Sequence, residues 1–150
     1  MTIHTTSMQA IHILYMYDRI RGDAKGVPLP NLIQQLQEMA SRGEAYTFFA
    51  DSEVIMVGGV IKGVGGVGTL WLVGTTDVPR HIKDLTAVLL RMREPMMDRL
   101  GLHRLQTDVL ASHPSWVKWA QFFGMKEEGI MRQYTQSRED VVLMAYVRDN

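Results

Sequence analysis

Residues 69–84 read TLWLVGTTDVPRHIKD. The apolar run 69–74 (TLWLVG) predicts a strand, a short loop follows, and Pro79 sits where the first turn of a helix accepts it. Arg80, His81 and Lys83 then fall in that first turn. The leading backbone N–H groups of a helix lack intrahelical partners and share the positive end of its dipole, so this turn suits an anion. Cations placed there are unfavourable for the helix itself. A bound anion would account for them, and a solvated basic face is the alternative.

Downstream, residues 80–100 carry Ile82, Leu85, Val88, Leu89, Met92 and Met96 at helical spacing, ending at Gly101. Pro95 removes a backbone donor and is expected to kink or break that helix. His103–Ala111 (HRLQTDVLA) alternates as a strand does, and 114–123 (PSWVKWAQFF) predicts a short aromatic helix closed by Gly124. Its Trp116, Trp119, Phe122 and Phe123 suit docking on a sheet, with one ring free to wall a cleft. Met125–Tyr134 and Val141–Arg148 predict a final hairpin around the polar turn Thr135–Asp140.

Upstream, 45–50 (AYTFFA) and 53–62 (EVIMVGGVIK) predict two strands joined at Asp51–Ser52. The first forty residues read as helical. Thr5, Thr6 and Ser7 are placed to cap a helix carrying Met8, Ile11, Leu14 and Tyr15. A second helix opens at Asn31, carries Leu32, Ile33, Leu36, Met39 and Ala40, and closes at Gly43. The expected order is α-α-β-β-β-α-β-α-β-β, an α/β (α+β) chain forming one domain over residues 1–150.

Composition narrows the function classes. At 150 residues with 46% hydrophobic content, the chain is long enough for one buried core. Sixteen basic residues offset sixteen acidic ones, so the long-range attraction that drives nucleic-acid binding is missing. The absence of cysteine excludes disulfides, thiol nucleophiles and thiolate metal sites. No apolar run is long enough to cross a bilayer and no secretory leader is visible, so a cytoplasmic location is expected. Gly63, Gly65 and Gly68 spell GxGxxG, but they lead into a strand, where the dinucleotide motif needs a helix, so they read as a loop between strands. No GKS or GKT follows them. His4, His12, His81, His103 and His113 show no metal-ligand spacing, and there is no GxSxG elbow. Eleven methionines suit either an adaptable interface or a methionine-rich core.

The order of elements and residues 69–130 resemble the GNAT superfamily of acetyl-CoA-dependent N-acetyltransferases. The likeness runs from TLWLVG through the helix ending RLG to HRLQTDVLASHPSWVKWAQFFGMKEEG, where Gly124–Met125 and Glu128–Gly129 match a common family ending. It covers about two-thirds of the chain. The resemblance implies a mixed, splayed central sheet flanked by helices, with the first helices facing the acceptor. It implies acetyl-CoA as co-substrate, touching Val73 and Thr75 on the strand and Arg80, His81, Lys83 and Asp84 at the helix start. It implies direct transfer of the acetyl group to a primary amine. His113, or water held by Asp77 or Asp108, would take the amine's proton, and Ser115 or His113 would protonate the departing thiolate.

The sequence also departs from the family pattern. The usual phosphate loop has Arg or Gln, then glycines at the positions filled here by Lys83 and Leu85. The tyrosine that many members use as general acid would fall at Ala120, and the asparagine often found at that helix's start near His113. No carboxylate lies on TLWLVG. These losses are similar to GNAT-like internal virion proteins of podophages. The alternative function is therefore a catalytically inactive structural or assembly protein, with virion partners or further copies of itself.

Overall fold

The computed structural model describes residues 2–149. They divide into two compact units, one reaching to Ile61 and including Leu70–Val88, the other comprising Lys62–Thr69 and the chain from Leu89 onward. The elements are β1 (Ile3–Ser7), α1 (Ala10–Met16), α2 (Leu29–Ser41), β2 (Gly43–Ala50), β3 (Glu53–Lys62), β4 (Val67–Gly74), α3 (Ile82–Leu100), β5 (Arg104–Leu110), α4 (Pro114–Phe122), β6 (Lys126–Met131) and β7 (Val141–Val147). The strand order is β1-β2-β3-β4-β5-β7-β6. This is the expected mixed α/β class.

In the first unit β1, β2 and β3 pair antiparallel, with Ile3 opposite Ala50 and Ala45 opposite Gly59. Val54 through Val60 are all buried, which explains why β3 is a continuous apolar run and not an alternating one. Ile13, Met16 and Ile20 pack with Leu32 and Leu36 of α2 and Val54 and Val57 of β3, and Trp71 and Val73 lie against this cluster. The Tyr17 hydroxyl donates to the Val27 carbonyl at 2.5 Å, fixing the connection between the two helices.

In the second unit β4 pairs parallel with β5 over Val67–Gly68–Thr69 and Arg104–Leu105–Gln106. Parallel neighbours need a crossover, and α3 supplies it. β5 and β6 flank β7, both antiparallel to it. The Arg93 guanidinium lies 3.9 Å from the Tyr146 ring centre and donates to the Phe123 carbonyl at 2.5 Å, while the Tyr146 hydroxyl donates to Glu94 at 2.9 Å. One arginine therefore ties α3, the end of α4 and β7 together.

Several sequence expectations are corrected. Ile3–Ser7 is a strand and Thr5, Thr6 and Ser7 cap nothing; α1 begins after Gln9, whose N–H donates to His12 Nδ1 at 3.1 Å. Residues 4–7 are exposed on an edge strand, so no apolar alternation marks them, and only β-branched Ile3, Thr5 and Thr6 carry the signal. Helix α2 starts at Leu29 behind Pro28 and not at Asn31, and Gly43 begins β2, Arg42 being the C-cap. Helix α3 runs through Pro95 as one element; the carbonyl that loses its donor belongs to solvent-exposed Arg91, where water can replace it. The GxGxxG glycines form a turn between β3 and β4, as a loop between strands should. Met16, Met56, Met96, Met97, Met125 and Met144 are buried, which favours the core reading of the methionines. Of the α4 aromatics Phe123 is buried, whereas Trp116 and Phe122 are exposed.

Gly59 of β3 lies tight against β2. A Cβ there would lie 2.8 Å from the Ala45 Cα and closer still to the Glu44 carbonyl oxygen, both backbone atoms that cannot yield. Gly59→Ala should cost about 1–3 kcal/mol in urea unfolding. Gly129→Ala, with nothing within 4 Å, should stay within about 0.5 kcal/mol. Equal effects would show that the β2–β3 register tolerates separation.

Candidate functional site

The turn between β4 and α3 is built by backbone bonds from both sides. The Thr75 N–H and Oγ1 both donate to the Ile55 carbonyl, at 3.1 and 2.8 Å. On the other side Ile20 bridges Thr75, with Arg21 N donating to Gly74 O and Thr76 N to Arg19 O, each at 3.0 Å. Val78 N donates to Thr75 O at 3.2 Å and Asp77 N to Thr75 Oγ1 at 3.2 Å, closing the chain into the single tight turn Val78–His81 before α3. Asp77 occupies the cap position, yet its side chain makes no capping hydrogen bond.

Its carboxylate serves two arginines. Oδ2 accepts from Arg19 Nη1 at 2.5 Å, and Oδ1 is paired with Arg80 Nη2. Arg19 also donates to the carbonyls of Val54 at 3.0 Å and Tyr15 at 3.2 Å, and its side chain is 25% exposed. Asp77 is 15% exposed and Arg80 70%. Burial raises the Asp77 pKa, but the Arg19 hydrogen bond and the two guanidinium charges outweigh it, holding the carboxyl below its ordinary 3.8. With both oxygens engaged and the charge stabilised, Asp77 is itself a poor proton acceptor.

The remaining expected contacts divide clearly. Lys83 and Asp84 are exposed on the first turn of α3, as Arg80 is just before it. His81 is buried, at 9% exposure. Val73 lies against the core cluster, and Thr75 is buried with its donors spent on Ile55. Leu85 is fully buried, whereas Lys83 stands in solvent. The Asp77 and Val78 amides are spent on Thr75 and Pro79 has none, so the groups standing in solvent are the two cations Arg80 and Lys83 with Asp84 beside them, and the two cations fit a polyanion such as a diphosphate.

His113 and Ser115 belong to the second unit. His113 is the N-cap residue of α4, its ring stacked on Trp116 at 4.4 Å between centroids, and its carbonyl accepts from Trp116 N at 3.0 Å. Ser115 is exposed one residue inside that helix, and Asp108 is exposed on β5. Ala120 offers only its carbonyl, which accepts from Phe123 and Met125. The contact missed by sequence reasoning is that of Arg19 with Asp77; no local spacing signals a contact across 58 residues.

No family model matches this sequence, and no curated protein matches it. Solved structures do. An acetyltransferase of the GNAT family from Streptococcus pneumoniae is similar with a TM-score of 0.74 and 17% identity, over 98% of this chain and 99% of that one. The ribosomal-protein-S18-alanine N-acetyltransferase from Escherichia coli gives 0.74 and 18% over 99% and 96%. A spermidine N-acetyltransferase variant from Vibrio cholerae gives 0.76 and 11% over 97% and 94%. The chain therefore has the GNAT fold. Among the described residues no helix is long and apolar enough to cross a membrane.

A carboxyl whose folded pKa lies below its unfolded value stabilises the fold fully above that value and loses the contribution as pH falls through the folded one. Urea midpoints followed from about pH 7 to about pH 2 should therefore drop more steeply for wild type than for Asp77→Asn below about pH 4. Parallel curves would show that the arginine pair is not coupled to folding.

Proposed function

We propose that this chain is an N-acetyltransferase that transfers the acetyl group of acetyl-CoA directly to a primary amine. The observation that carries the reading is the turn at residues 77–84, an uncapped helix start bearing exposed Arg80 and Lys83, set directly after β4 in a GNAT fold. The coenzyme's phosphates would be held by the first-turn amides, Arg80 and Lys83, and the strand end at Val73–Thr75 would orient the thioester arm. The neutral amine nitrogen attacks the acetyl carbonyl carbon, the carbon–sulfur bond breaks, and the sulfur leaves as thiolate to be protonated. Donors aimed at the developing oxyanion, and alignment of the two reactants, supply the rate. His113 is our candidate for taking the amine's proton, because imidazole titrates near working pH, and Ser115 for returning one to the thiolate.

A second reading has its own support. Ala120 cannot donate a proton, and Arg80 is already paired with Asp77. Both suit a GNAT fold kept for assembly, with copies of itself or virion proteins as partners.

Thermal unfolding with and without acetyl-CoA separates the two. A ligand of the native state at a hundredfold excess over Kd adds about 2.7 kcal/mol, which moves the midpoint by at least about 2 °C for a domain of this size. Replacing Arg80 and Lys83 together by alanine should abolish that shift. No shift for the wild-type chain at about 1 mM acetyl-CoA would favour the assembly reading.

A further inference from the structure

The two oxygens of Asp77 are shared unequally. Oδ2 belongs to Arg19, which is three-quarters buried and also tied to the Val54 and Tyr15 carbonyls; Oδ1 belongs to Arg80, which is 70% exposed. Arg19 is thus the fixed partner and Arg80 the one that can leave. Resting on the coenzyme reading above, we propose that Asp77 is an internal counter-anion for the phosphate site: it holds the Arg80 guanidinium in the free protein, yields it to the incoming phosphate, and stays paired with Arg19.

Charge makes the arrangement selective. With Arg80 on the carboxylate, a ligand must outcompete an anion already in place. A singly charged anion gains nothing by replacing one carboxylate with another. A diphosphate, which also draws on Lys83 and the first-turn amides, does gain. Once Arg80 has moved, Asp77 keeps Arg19 as its partner at 2.5 Å, closer than the exposed Glu53 and Asp18 carboxylates at 3.6 and 3.9 Å from the same guanidinium, so the Asp77 carboxylate is not left bare beside the phosphates. Without Arg19 the same transfer would leave it bare there, and like charges at that range repel. Asp77 and Arg19 are therefore positioning residues: they set the energy at which Arg80 becomes available, and they need not touch the coenzyme.

Calorimetric titration with acetyl-CoA at about 50 mM salt, where exposed charges are least screened, tests this. Asp77→Asn should tighten binding by about threefold to fivefold, the range of one exposed ion pair. The same substitution in an Arg80→Gln background should change affinity by less than about twofold, because the competition it relieves no longer exists. Arg19→Gln should weaken binding roughly tenfold. A merely structural role for Asp77 predicts loss of affinity in Asp77→Asn, and simple repulsion predicts the same gain with or without Arg80; either result overturns the proposal. Wild-type binding with an unmoved Asp77→Asn value overturns it and leaves the coenzyme reading standing. Absence of binding in the wild-type chain removes both.

Discussion

The ion pair between Arg19 and Asp77 fixes the place where β4 gives way to α3. Arg19 follows α1 in the chain, and its side chain is pinned by the carbonyls of Tyr15 and Val54 as well as by the carboxylate. Its backbone carbonyl accepts from Thr76, and the next residue, Ile20, bridges Thr75. Backbone and side chain thus act on one turn from the same short segment. That segment is itself held by burial, since Ile13, Met16 and Ile20 share a core with α2 and β3. Packing of the N-terminal helices is in this way connected to the shape of the helix start that carries Arg80 and Lys83.

The side chains that follow this turn divide between core and solvent. Leu85 points its side chain into the core and so takes no room above the turn. Lys83 does stand in solvent, and it brings a charge where a glycine would bring only space. Asp77, which could have capped the first-turn amides, is instead drawn aside by the two arginines. Thr75 takes up the Asp77 and Val78 amides in its place.

Much of this was legible in the sequence because it is local. The run from 69 to 84 changes period at a proline, and the change marks strand, turn and helix without reference to anything distant. β3 was legible because it is buried on both faces and reads as continuous apolar residues. β1 was not, because an exposed edge strand has no apolar face to alternate and its threonines look like caps. The Arg19–Asp77 pair was hidden for a different reason: nothing in local spacing connects residue 19 to residue 77, and only the packed helices bring them together. His81 illustrates the limit of a charge-pattern reading. Its position in a basic turn groups it with Arg80 and Lys83, yet it is buried where they are exposed.

We propose that the turn over residues 75–83 receives the phosphates of acetyl-CoA. Two-dimensional amide NMR of the labelled protein, titrated with acetyl-CoA, reads that turn directly. Saturable shifts are expected at the amides of residues 76–83 other than Pro79, with the Arg80 side-chain signal moving in step. A titration that shifts other amides and leaves that turn unmoved would contradict it.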